Sequence, residues 1–161
     1  MIAAAHALVG ASLAVSFTNP AVGIPLSISS HFLLDLVPHW DWATNMNGKT
    51  NRRVFWEAFF DVLAGIVLVF ILFRNFSSYY LWIMVFCSQL PDWLESPTLF
   101  LGMKKPFSYF KAIQMKAHNR MNLPWGLVVS VIVAILLSLA LVSTSNSGFS
   151  LASLVPTLFF K

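Results

Sequence analysis

Residues 21–42 read AVGIPLSISSHFLLDLVPHWDW. The first ten positions carry no charge, whereas the last twelve hold two histidines and two aspartates. A membrane-spanning helix needs roughly 20 mostly apolar residues, with about 17 as a lower limit, so this stretch is expected to form an apolar helix with one ionisable end. Charged groups at membrane depth face a cavity or one another rather than lipid. The stretch therefore predicts both a membrane helix and the place where its function resides.

The composition around it agrees. The chain has 161 residues, 58% of them hydrophobic and 10% charged, with a mean hydropathy of +0.75, whereas soluble domains are about a quarter charged. Four further stretches resemble the first: residues 2–18, 54–73, 76–93 and 123–142. With 21–39 they predict an all-α integral membrane protein, a single domain over 1–161 with about five transmembrane helices in a small bundle. The Asn19-Pro20 step separates the first two helices. Residues 2–18 lack the basic start of a signal peptide and carry His6 in their first turns, so they are expected to remain as a helix. Over 103–120, Phe107, Phe110, Ile113 and Ala117 recur at three- and four-residue steps beside Lys104, Lys105, Lys111 and Lys116. That pattern predicts an amphipathic helix lying in the interface. Residues 149–160 are too short to span and contain Pro156, so they are expected in the interface or against another helix. Cys87, the one cysteine, sits in an apolar run and gives no disulfide framework.

Charge then sets the orientation. With the N-terminus cytoplasmic, Lys49, Arg52, Arg53, Lys104, Lys105, Lys111, Lys116 and Arg120 fall on the cytoplasmic side. Only Arg74 and Lys161 remain opposite, as the positive-inside rule expects. Trp40, Trp42, Trp56, Trp93 and Trp125 mark the cytoplasmic interface and Tyr79, Tyr80 and Trp82 the other. The expected location is the inner cell membrane, with the C-terminus on the far side.

On that topology all six acids and all four histidines gather in the cytoplasmic half. His31, Asp35 and His39 are four apart in succession and would share one helix face, with His31 roughly 12 Å deeper than His39. His6, Asp61, Asp92 and His118 join them from other segments. A buried carboxylate at the bilayer centre costs about 2.5–3.5 kcal/mol, and a divalent cation would compensate. The mixed imidazole and carboxylate set suits zinc first, as one to three ions, with manganese, iron or magnesium as alternatives. Asp41 and Glu57 are the candidates for general base, and Lys116, Asn119 and Arg120, which flank His118, the candidates for gripping a phosphate.

No Gly-rich phosphate loop, nucleophile elbow or haem-attachment pattern occurs. Membrane orientation accounts for the basic residues, so nucleic-acid binding is not expected. The expected function is metal-dependent hydrolysis of a phosphorylated lipid or membrane-adjacent phosphoester, with self-association equally compatible. The alternative is a small metal-binding or cation- or proton-transporting membrane protein. "LVPHWDW" and "QLPDWLE" are alike at the ends of the second and fourth helices, a weak internal repeat.

"HFLLD" followed by "PH" resembles the helix signature of the zinc-dependent phospholipase C and S1/P1 nuclease superfamily. "HALVG", "LPDW" and "KAHNRMNLPWG", in that order, resemble the small bacterial proteins described as predicted membrane-bound metal-dependent hydrolases. The likeness covers most of residues 1–130 as an order of motifs. It implies that His6, His31, Asp35, His39, Asp92 and His118 are metal ligands.

Overall fold

A computed structural model describes residues 1–44, 48–76 and 78–145. The segment expected over 149–160 and the C-terminus lie outside the described residues. These residues form six α-helices and no strand: α1 (Ala3–Ser16), α2 (Pro20–Leu36), α3 (Asn51–Leu72), α4 (Tyr79–Leu101), α5 (Phe107–Ala117) and α6 (Trp125–Ser143).

Helix α1 is the axis of the bundle. Its residues from Ala5 to Val15 are buried without a break, as expected of a helix that is apolar all round. It packs against α2, α3, α4 and α6. Small residues allow this close approach, as they do between helices in lipid. A Cβ on Gly65 would stand 2.9 Å from the Ala4 Cα, and one on Gly10 would stand 2.6 Å from the Ser88 hydroxyl. On α6 the buried stripe is Gly126, Ser130, Ala134, Ser138 and Val142.

Helices α3 and α6 are the two described helices long and apolar enough to cross a membrane. Their outer faces expose Phe59, Phe60, Phe70, Ile132 and Leu136, a surface suited to an apolar solvent. Of the about five spanning helices expected, these two meet that test of length and composition. Helix α1 has 14 residues and α2 has 17. The 23 residues of α4 include Gln89, Asp92 and Glu95, which dilute its apolar half.

Local chemistry explains the helix ends. Asn19 caps α2, its side chain accepting from the Ala21 N–H at 3.0 Å, and Pro20 follows at the first helical position. Thr50 and Ser78 cap α3 and α4 in the same way. Helix α2 stops at Leu36, not at His39 as expected, because Pro38 drives Val37 into extended backbone at ψ 137°. His39 is therefore not on the helix face shared by His31 and Asp35. Helix α4 runs past Trp93 to Leu101 despite Pro91 and Pro97, and ends at Gly102 in the left-handed region, φ 65°. Asp92 thus lies inside the helix rather than closing it.

Candidate metal centre

At one end of the bundle the start of α1, the last turns of α2, the middle of α4 and the segment after α5 meet. A backbone clasp joins two of these parts. His39 N–H donates to the Asn119 carbonyl at 2.9 Å, Met121 N–H donates to the His39 carbonyl, and Asn119 N–H donates to the Asp35 carbonyl at 3.0 Å. The Asn119 side-chain amide adds a bond to the Leu36 carbonyl at 3.3 Å. These bonds satisfy carbonyls that the end of α2 leaves without helical partners. They also return His39 to Asp35 after the helix has ended and set His118 beside both.

Asp35, fully buried, is the hub. His118 Nε2 lies 3.2 Å from its carboxylate, His6 Nε2 3.3 Å, His31 Nε2 3.4 Å and His39 Nε2 3.6 Å. The Met1 amino group pairs with Asp35 Oδ1. Asp92 stands 3.5 Å from His31 Nε2, and Asp41 stands 3.5 Å from His118 Nε2 and 3.7 Å from His39 Nε2. The His6 and His31 rings stack at 4.1 Å.

The outer nitrogens reveal the tautomers. His31 Nδ1 faces the Ser88 carbonyl at 2.8 Å, His39 Nδ1 the Val37 carbonyl at 2.8 Å and His118 Nδ1 the Gln114 carbonyl at 3.0 Å. A carbonyl only accepts, so each of these three Nδ1 atoms carries the hydrogen, and Nε2 is the nitrogen left to face the carboxylates. Where such a ring is neutral, its Nε2 lone pair meets carboxylate oxygens, acceptor against acceptor. His6 Nδ1 and Nε2, His39 Nε2 and Asp35 Oδ2 have no hydrogen-bond partner among the described residues, and each such buried group costs about 1–3 kcal/mol.

A divalent cation fits this donor set. Two ligand atoms about 2.0–2.1 Å from one tetrahedral zinc stand roughly 3.3 Å apart, close to the observed separations. Ligand atoms of His6, His31 and Asp92 lie within 4.8 Å of one another, as do those of Asp35, His39 and His118. Fixing Nδ1 on a carbonyl is how proteins commonly orient imidazole ligands.

Two neighbours complete the site. Asp41 Oδ2 accepts from Arg120 Nε at 3.1 Å and Asp41 Oδ1 accepts from the Thr44 hydroxyl at 2.9 Å. Burial opposes ionisation of Asp41, but the Arg120 guanidinium beside it helps hold the carboxyl well below its usual range. Burial lowers the His118 pKa below the ordinary histidine value against the pull of Asp35, which favours the neutral, ligating form. Gln114, buried on α5, was not foreseen. Its Nε2 stands 3.1 Å from His31 Nε2 and donates to Asp92 Oδ1 at 3.0 Å. The one sequence signal for it was an amide beside the apolar residues of an amphipathic helix.

Four expected site residues are placed elsewhere. The Asp61 carboxylate accepts from Ala3 N–H at 2.7 Å, Ala4 N–H at 3.1 Å and Trp42 Nε1 at 3.0 Å, capping α1 from α3. Glu57 pairs with Lys49 at 2.9 Å and Arg53 at 2.8 Å, outside the cluster. Asn119 is engaged in the clasp, and Lys116 is exposed on α5. No family model, curated protein or solved structure matches the chain.

Proposed function

We propose that this chain is a membrane-embedded, metal-dependent phosphoester hydrolase, its centre at the cytoplasmic end of a bundle formed by α1, α2, α3, α4 and α6. The observation that carries the reading is the convergence of four imidazole Nε2 atoms on Asp35 at 3.2–3.6 Å, three of them from rings whose Nδ1 is already held by a carbonyl. His6, His31 and Asp92 would hold one divalent cation, and Asp35, His39 and His118 a second. Zinc suits the nitrogen and oxygen donors best. Cations so bound lower the pKa of water toward 7 and polarise a phosphate ester.

The remaining work belongs to the chain's own groups. Asp41 is ionised, steadied by Arg120 and Thr44, and adjoins His39 and His118. It is placed to orient a water beside those imidazoles by accepting a hydrogen bond. Arg120, held beside His118 through Asp41, supplies positive charge for an anionic substrate. The basic segments around 49–53 and 104–120 support a cytoplasmic site. The order of "HALVG", "HFLLD" with "PH", "LPDW" and "KAHNR", which resembles predicted membrane-bound metal-dependent hydrolases, supports the same chemistry. Toward the opposite end the buried polar side chains among the described residues are Ser12, Ser27 and Ser138. That favours a one-sided site over a conducting path.

Elemental analysis of purified protein tests the metal, and release of inorganic phosphate from a panel of phosphate mono- and diesters tests the reaction. Bound transition metal with phosphate release is expected. Folded protein that takes up no metal overturns the whole reading, whereas loaded protein inert on every ester overturns its hydrolase part.

A further inference from the structure

An apolar groove of about 300 Å³ runs between α2, α4 and α5. Phe32 lines it from α2, Pro91 and Leu94 from α4, and Phe110 and Ile113 from α5; its one polar lining residue is Gln114. The same Gln114 bonds Asp92 and touches His31, so the groove ends at one of the two ligand triads. Asp92 is the open member of that triad, its side chain 43% exposed, whereas the His31 side chain is fully buried.

We propose that this groove holds one hydrocarbon chain of a phosphate-bearing membrane lipid, with the phosphate at the His6, His31 and Asp92 end. This rests on the hydrolase reading and names its substrate class. Three observations favour that occupant. The groove is continuous with the ligand cluster through a single side chain. Its walls are hydrocarbon and aromatic, suited to an acyl chain and to no polar group but the one at its inner end. Lys111 and Lys116 stand on the same short helix that supplies Phe110 and Ile113, so the element that lines the groove is also basic, as suits a lipid with an anionic headgroup. Moving a chain from bilayer to groove gains little hydrophobic free energy, because lipid is as apolar as the groove. Selection must therefore come from shape and from the phosphate.

The test has two arms, both on the metal-loaded full chain. In the first, phosphatidic acid with a diazirine on one acyl chain is photolysed on the protein, beside diacylglycerol carrying the same chain. Adducts on α4 and α5 that form with the phosphatidic acid and not with the diacylglycerol are expected. Scattered adducts, or equal labelling by both lipids, overturn the proposal. In the second, Ile113→Trp narrows the groove at a residue already 53% exposed, and unchanged metal content certifies the fold. The rate on lipid phosphate relative to glycerol phosphate should fall tenfold or more; an unchanged ratio overturns the groove while leaving the hydrolase intact. Phosphate-dependent labelling by a chain that hydrolyses no ester supports the groove and overturns the hydrolase, so the two failures are distinguishable.

Discussion

Asp35 and Asp61 are both buried near the same end of the bundle, yet their surroundings differ in kind. Asp61 receives three N–H donors, two from the start of α1 and one from Trp42. Its charge is answered within the protein, and it serves as a helix cap supplied by a neighbouring helix. Asp35 faces the Met1 amino group at Oδ1 and four imidazole Nε2 atoms, three of them in rings whose Nδ1 is held by a carbonyl, and its Oδ2 has no hydrogen-bond partner among the described residues. Burial alone thus says little about whether a carboxylate binds metal. The donor or acceptor character of what surrounds it decides.

The sharpest way to break this contrast is to exchange each aspartate for asparagine. Asp35→Asn keeps the shape but removes the central charge, and bound metal should drop at least tenfold by elemental analysis; retention at the wild-type level would remove Asp35 as a ligand. Acidification comes next. Ligand imidazoles must be neutral, so metal affinity should fall by about tenfold or more per pH unit below roughly 6.5. His118, whose pKa burial lowers, should stay neutral to lower pH than a solvent-exposed histidine, making it a late ligand to release. Calorimetric metal titrations across that range would read this, and pH-independent affinity would contradict imidazole ligation. Gln114→Ala removes a group that touches two ligands without being one. About a 10–100-fold loss of metal affinity is expected, with the helical content unchanged.

Asp61→Asn gives the opposite signature to Asp35→Asn. Metal content should persist while thermal unfolding in detergent shows a loss of about 1–3 kcal/mol, the cost of an unmet buried donor. If Asp61→Asn lost metal as fully as Asp35→Asn, the distinction between the two carboxylates would collapse. The smallest effect is reserved for Glu57→Gln, which keeps the shape of a half-buried pair with Lys49 and an exposed one with Arg53. Stability should change by about 0.5 kcal/mol or less, and metal content should not move.

The helices were legible because apolar runs and the Asn19-Pro20 break mark them plainly. Their ends were less so. The four-residue spacing from Asp35 places His39 on α2, but Pro38 ends the helix before it, and hydrogen bonds from residues 119–121 restore the proximity. No local pattern announces such long-range pairing. Asp92 was expected at a helix end because proline usually stops helices, yet α4 continues through Pro91. In the site, His6, His31, Asp35, His39, Asp92 and His118 were found by charge that lipid would not tolerate, and the structure brings them together. Asp61 and Glu57 satisfied the same criterion but are answered by donors on other elements, which a chain read residue by residue does not reveal. Gln114 escaped because an uncharged amide raises no such alarm.

The clasp between the 35–39 and 119–121 segments has a further consequence. Since its bonds are made by main-chain groups, His39 and His118 are fastened by a connection that owes nothing to any cation. Stripping the ion with a chelator should therefore leave the cradle standing, ready to refill on the timescale of diffusion. Metal uptake would then resemble loading a finished socket rather than folding around a nucleus.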